Sequence, residues 1–310
     1  MAEAVPKAQT SGKLSIPTKL FYGVGSVAFG VKDQGFSYLL LIFYNQVVGL
    51  PSATVGLAIM VALMFDSLLD PIMGQVSDNW RSRWGRRHPF MYAAALPVAA
   101  SYLLLWNPPQ DWSHSALFIY LIVVAVIIRS FITMYEIPSA ALAPELTTDY
   151  DERTQVLAYR HFFGWFGGLV MTVLALKVFL TPDAENPIGQ LNRAGYQTYA
   201  LVASGVMFVA IIVSSLGTHR HIANFKMPPQ RKISLGQLAK EMFGTLTHKA
   251  FLVLMGAGLF NAMASGLVLS LSLYFNTSFW QLPSGQIAIL AMATFVSAVL
   301  AFAPAAPLSP

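Results

Sequence analysis

The sequence predicts an all-α protein that crosses a membrane several times, and three observations carry the prediction. Of the 310 residues, 55% are hydrophobic and 11% charged, against about 25% charged in an ordinary soluble domain. Apolar runs long enough to cross about 30 Å of hydrocarbon recur along the chain, with turn-rich segments between them. Most of the 19 lysines and arginines are gathered into alternate connecting segments, as expected where basic loops stay on the cytoplasmic side.

Residues 1–18 are polar and contain Pro6 and Pro17, with no apolar stretch before a cleavage site, so they read as a cytoplasmic tail rather than a signal peptide. Spans are expected near 20–47, 53–77, 89–106, 116–138, 157–180, 197–217, 250–275 and 284–304. Breaks fall at Gly49–Ser52, Asn107–Ser113, Thr181–Pro187 and Leu282–Gly285. Trp106, Trp112, Trp280, Tyr196 and Tyr199 stand at span ends and are expected to form an aromatic belt. Gly23, Gly25, Gly30 and Gly35 on the first span permit close packing or bending, and Gly167-Gly168 and Gly256-x-Gly258 are further expected packing sites.

Residues 218–249 are polar and basic and hold Pro228-Pro229; Leu235, Leu238, Ala239 and Met242 suggest an amphipathic helix on the inner surface. This linker divides the chain into an N-terminal six-helix bundle over 1–217 and the first two helices of a second bundle over 250–310. The second bundle is expected to be truncated, since the sequence stops at Pro310 just past the eighth span.

The net charge of +5 is thus a topology signal and not a nucleic-acid-binding one. The absence of cysteine excludes disulfides and thiolate chemistry. The histidines show no metal-ligand spacing beyond His219-Arg220-His221, and no nucleophile elbow, phosphate loop or dinucleotide fingerprint occurs. Neither an enzyme nor a bound cofactor is expected, and no metal beyond a transported cation.

The informative residues are the charges inside the spans. Lys32 and Asp33 lie on the first, Asp66 and Asp70 on the second, Arg129 and Glu136 on the fourth, and Arg160 and Lys177 on the fifth. Ionised groups in hydrocarbon are costly and normally face a partner or a wet cavity. At about 1.5 Å of rise per residue, Asp70 lies roughly 10 Å and Asp66 roughly 17 Å from the cytoplasmic end. Asp33 lies roughly 20 Å and Glu136 roughly 15 Å deep, so four carboxylates can meet near mid-membrane. With the Thr133 hydroxyl, one turn before Glu136, they offer hard oxygen ligands to a small cation, or a shared proton. Pro71 and Pro138 would free backbone carbonyls beside them. As an alternative, Arg129 and Lys32 could neutralise Asp66 and Asp70 as structural ion pairs. Asp149 and its neighbours could cap the fifth helix or latch onto the basic loop, and Lys177 should reach the outer interface.

At Asp66-x3-Asp70-Pro71-x2-Gly74, running on through Arg81-Ser82-Arg83-Trp84-Gly85 to Pro89, the chain resembles the glycoside-pentoside-hexuronide:cation symporters, the melibiose permease family within the major facilitator superfamily. Tyr22–Gly25, Lys32-Asp33, Val47–Leu50, Glu136-Ile137-Pro138 and Arg160-x-Phe162-Phe163 extend the likeness over essentially the whole chain. The resemblance implies a major facilitator fold in the plasma (bacterial inner) membrane, with the N-terminus cytoplasmic. It implies symport of a sugar or glycoside coupled to Na+ or H+. It further implies cation binding by Asp66, Asp70 and Thr133, sugar contact by Lys32, Asp33, Glu136 and Arg160, and cytoplasmic gating by Gly74, Asp78, Arg81 and Gly85. Membrane lipid is an expected partner, and the missing C-terminal helices, or a second chain, are expected to be needed.

Overall fold

The computed structural model describes residues 13–183, 186–222 and 248–293, together with Gly236, Gln237, Lys240 and Gly244. The expected amphipathic helix of the linker and the last part of the eighth span lie outside these residues. Among them the protein is helical throughout, and six helices are long and apolar enough to cross a membrane. The multi-pass all-α reading therefore holds.

The first span is segmented: α1 (Ile16–Val24), α2 (Ser26–Gln34) and α3 (Leu40–Ile42) alternate with π-turns at Gly35–Leu39 and Phe43–Val47. The next five spans are α4 (Ser52–Asn79), α5 (His88–Leu105), α6 (His114–Ala140) with the short α7 (Ala143–Leu146), α8 (Tyr150–Leu174), and α9 (Arg193–His219). Then come α10 (Lys249–Tyr274) and the shorter α11 (Ser284–Ala293). Side-chain caps start three of them: Ser113 accepts from Ala116 N (3.3 Å), Asp149 from Glu152 N (2.9 Å) and Asn192 from Gly195 N (3.2 Å). Each satisfies an amide that the first turn leaves without a helical partner. Pro71, Pro97 and Pro138 sit inside unbroken helices. Each still removes the amide that would bond the carbonyl four residues earlier, namely those of Ser67, Ala93 and Met134.

Glycine brings the first span against α8. A Cβ on Gly30 would stand 1.8 Å from the Gly164 carbonyl oxygen, and one on Gly168 would stand 2.5 Å from that of Gly30. Backbone cannot move aside cheaply. Gly30→Ala should therefore cost about 1–3 kcal/mol or more, whereas Gly56→Ala, where nothing lies within 4 Å, should cost nothing. Paired thermal melts in detergent would check this; equal midpoints would refute the packing account. By contrast, Gly256 and Gly258 meet nothing within 4 Å among the described residues.

The aromatic belt also needs correction. Trp106, Tyr196 and Tyr199 are buried, Trp106 stacking on Tyr196 at 5.6 Å while Phe43 packs between helices against both. Only Trp112 and Trp280 are exposed as a belt requires. The first span, α5 and α9 converge at this end, and their aromatics close the core instead of facing lipid. Leu63, Met64, Phe65 and Leu68 of α4 and most of α10 are exposed, as apolar side chains facing hydrocarbon would be.

Candidate functional site

The packing of α4 on α6 sets one face of each against the other. Positions 66 and 70 lie one turn apart on α4, and 129, 133 and 136 share a face of α6. Arg129 Nη1 donates to Asp66 Oδ2 at 2.5 Å, and Thr133 Oγ1 stands 3.0 Å from both Asp66 Oδ1 and Asp70 Oδ1. One hydroxyl carries one proton, so it donates to one carboxylate at a time. Oxygens of three side chains thus converge on one point. Arg129 is buried, its guanidinium 4.8 Å from the Phe36 ring centroid. Among the described residues no lysine, arginine or histidine pairs with Asp70. The structural ion-pair alternative therefore accounts for Asp66 and leaves Asp70 over.

A second set continues from the first. Lys32 is buried, with Nζ 2.7 Å from Asp33 Oδ1 and 4.8 Å from the Phe29 ring centroid, while the Asp33 side chain is half-exposed. Arg160 Nη2 lies 3.6 Å from Glu136 Oε1; its Nη1 donates to Ser139 Oγ at 3.1 Å, and its guanidinium approaches the Tyr22 ring at 6.0 Å. Glu136 lies in the electrostatic field of Lys32, Arg160, Asp33 and Asp70, and Asp70 in that of Lys32. Lys32 therefore links the two sets. Ser139 and Tyr22 were not singled out from sequence as site residues; the available signals were Ser139's place three positions after Glu136 on the same helix face and Tyr22's place in the Tyr22–Gly25 segment of the resemblance.

At the basic end, Asp78 Oδ1 pairs with Arg87 (3.1 Å) and Arg86 (3.7 Å). Arg86 and Arg87 also converge on Glu145 Oε1, Arg87 Nε at 2.8 Å. Arg81 Nη1 turns back to the carbonyls of Asp78 and Trp80 at 3.3 and 3.2 Å, satisfying the end of α4. Gly85 adopts φ +75°, a left-handed conformation that favours glycine, against Ile222. A Cβ on Gly74 would lie 3.8 Å from Ile137 Cγ2, an ordinary contact, so the packing of α6 does not itself require glycine there. Glu145 was missed because it sits across the connection from the basic run, in the short α7.

The same end is tied by histidines. His88 Nε2 meets Thr218 Oγ1 at 3.0 Å and Tyr92 OH meets His219 Nδ1 at 3.0 Å. Arg220 Nη2 donates to Thr18 Oγ1 at 2.7 Å, and its Nε donates to His221 Nε2 at 3.3 Å. Burial, reinforced by the Arg220 guanidinium, pushes the His221 imidazole below its usual range, consistent with its accepting role. Among the described residues no cluster of His, Asp or Glu is suited to a resident metal.

Long apolar helices with oppositely charged side chains turned toward one another inside them define a polytopic carrier-type membrane protein. The sequence profile described as MFS/sugar transport protein matches residues 21–309, and the chain belongs to that family, as a glycoside-pentoside-hexuronide:cation symporter homologue of major facilitator fold. It is 32% identical over 213 residues to an uncharacterized symporter of Synechocystis sp., covering 66% of this chain and 38% of the relative. It is 30% identical over 223 residues to YagG of Escherichia coli, provisionally named a glycoside/cation symporter, covering 72% and 47%. It is 26% identical over 238 residues to a lactose permease of Lactobacillus helveticus, covering 74% and 35%. The chain spans less than half the length of these relatives. The family consists of transporters, not enzymes.

Proposed function

We propose that the chain is part of, or forms, a symporter that moves a sugar or glycoside across the plasma (bacterial inner) membrane with a cation, by alternating access. The observation that carries this is the convergence of Asp66, Asp70 and Thr133 oxygens, with Asp70 in an ion pair with no cationic side chain among the described residues. A cation or proton arriving there supplies Asp70 with the close positive partner that Arg129, in direct contact, gives to Asp66. The carbonyls of Ser67 and Met134, released by Pro71 and Pro138, are further oxygens in the same turns. Lys32, reaching both Asp70 and Glu136 electrostatically, would pass the change of charge to Asp33, Glu136 and Arg160, with which it holds sugar hydroxyls. Cation occupancy and sugar affinity then favour the same state, and the coupling is reciprocal.

In this reading the N-terminus and the basic end face the cytoplasm. Asp78 closes that end through Arg86 and Arg87, with Gly74, Arg81 and Gly85 shaping the turn. The relatives' greater length implies that further helices, in the same polypeptide or a second chain, complete the pathway. A non-transporting or partner-dependent fragment is the corresponding rival reading.

Proton coupling is the second reading for the ion. The 2.5 Å approach of Arg129 to Asp66 favours it, because a carboxylate already held by arginine offers less to Na+ and leaves Asp70 as a single protonatable group. The test is accumulation of radiolabelled glycosides in proteoliposomes under a sodium gradient or a pH gradient imposed separately. Accumulation under one gradient alone names the ion; accumulation under neither, with protein correctly inserted, would refute symport by this chain.

A further inference from the structure

At the end of the bundle opposite the basic loop lies a cavity of about 460 Å³. It is formed where Ile42 and Gln46 of the first span meet Pro182 and residues 187–191 between α8 and α9, and Thr277, Ser278 and residues 281–284 between α10 and α11. Small-molecule sites commonly enclose about 300–1,000 Å³. We propose that this cavity is a binding site for an uncharged, polyhydroxylated solute, a free saccharide or polyol, separate from the charged array in the middle of the helices.

The lining decides the class of ligand. Its polar side chains are Gln46, Gln190, Thr277, Ser278, Gln281 and Ser284, all amides or hydroxyls, each able to donate and accept. Among the described residues no lining residue is ionisable, so an anion or a cation would enter without a counter-charge from them, which is costly. Lys177, whose Nζ would lie 3.4 Å from a Cβ on Gly285, stands beside the cavity and outside its lining. Prolines and aliphatic side chains supply the rest of the wall, suited to the C–H faces of such a solute.

Two features mark the cavity as a place to be filled. Thr277 is only 9% exposed, and its Oγ1 has no hydrogen-bond partner among the described residues. A buried hydroxyl left so is destabilising, and it meets a solute when the Thr277 side chain turns its Oγ1 into the cavity that the residue lines. Gln281 holds φ +50°, a left-handed conformation strained for any residue but glycine. The strain is maintained by Leu282 N donating to Asn276 O at 2.8 Å and Gln190 Nε2 donating to Leu282 O at 3.0 Å. Such strain gathers at ligand clamps. The second bond also ties the two connections that form opposite walls, so the cavity is held open by structure present before any ligand arrives.

The test is saturation-transfer NMR on the full chain in nanodiscs, with lactose as the neutral probe and gluconate as the charged one. Lactose should receive transfer and gluconate none. Thr277→Val, which keeps shape and removes the hydroxyl, should weaken lactose binding about fivefold, the usual effect of one hydrogen bond. Gln46→Leu, on an exposed turn, should weaken it similarly and keeps the test open if Thr277→Val does not fold. Both substitutions are repeated in a Glu136→Gln background. The same losses there support the site, even if Glu136 itself proves irrelevant to transport. Undiminished lactose binding in both variants, equal binding of gluconate, or complete loss of lactose binding on Glu136→Gln alone would each overturn it.

Discussion

Replacing Asp70 by asparagine is expected to uncouple solute movement from its cation without unfolding the chain. Asp70 is held by one hydrogen bond from Thr133 and pairs with no cationic side chain among the described residues, so an amide of the same shape keeps the packing. What disappears is the charge that an incoming cation or proton would neutralise. Coupling free energies of this kind are typically about 1–3 kcal/mol, or about 5–150-fold in affinity. Gradient-driven accumulation should fall by that order, while energy-independent exchange of solute across the membrane survives. Asp66→Asn should behave differently. It removes the counter-charge of buried Arg129, and breaking such a pair from one side costs about 3–5 kcal/mol. Its yield should be poor, and Asp66→Asn with Arg129→Gln should recover the yield but not the coupling. Normal accumulation by Asp70→Asn would remove that residue from the mechanism.

The contrast between these two aspartates was only half legible in the sequence. Their spacing of four, within an apolar run, placed both on one helix face, and Arg129, Thr133 and Glu136 fell on a common face by the same periodicity. Helical registers are local, so they can be read from one segment. Which carboxylate Arg129 would take depends on the crossing of α4 and α6, a tertiary fact with no local signal. The same limit hid Ser139 beside Arg160. It also put Trp106, Tyr196 and Tyr199 in a lipid-facing belt: position at a span end was visible, but the convergence of three helices there was not.

Segmentation of the first span shows the limit in another form. Its four glycines announced bending or close approach, and the structure uses all four for close approach, Gly30 to the backbone of α8, Gly23, Gly25 and Gly35 to Phe163, Tyr135 and Tyr102, with Gly25 and Gly35 also standing at segment boundaries. The sequence could not apportion these roles, because a glycine tolerates both. Gly256 and Gly258 illustrate the converse, since the same composition on α10 meets no neighbour among the described residues.

Glu145 should prove the stronger anchor at the basic end, although the motif itself points to Asp78. Glu145 is 11% exposed and receives both Arg86 and Arg87, which are themselves buried to a similar degree. The Asp78 side chain is 53% exposed, where water screens its pairs to roughly 0–1 kcal/mol. Glu145→Gln leaves two buried guanidinium groups with one screened partner, and the expected loss is about 3–5 kcal/mol. Asp78→Asn should cost a small fraction of that. The chain contains no cysteine, so a single Ser77→Cys reports directly on opening, Ser77 being fully buried at the end of α4. Alkylation of that thiol should be slow in the parent, slightly faster with Asp78→Asn, and much faster with Glu145→Gln. A larger effect from Asp78 than from Glu145, in alkylation rate and thermal midpoint alike, would show that the exposed aspartate holds the closed end and that Glu145 only shields its arginines.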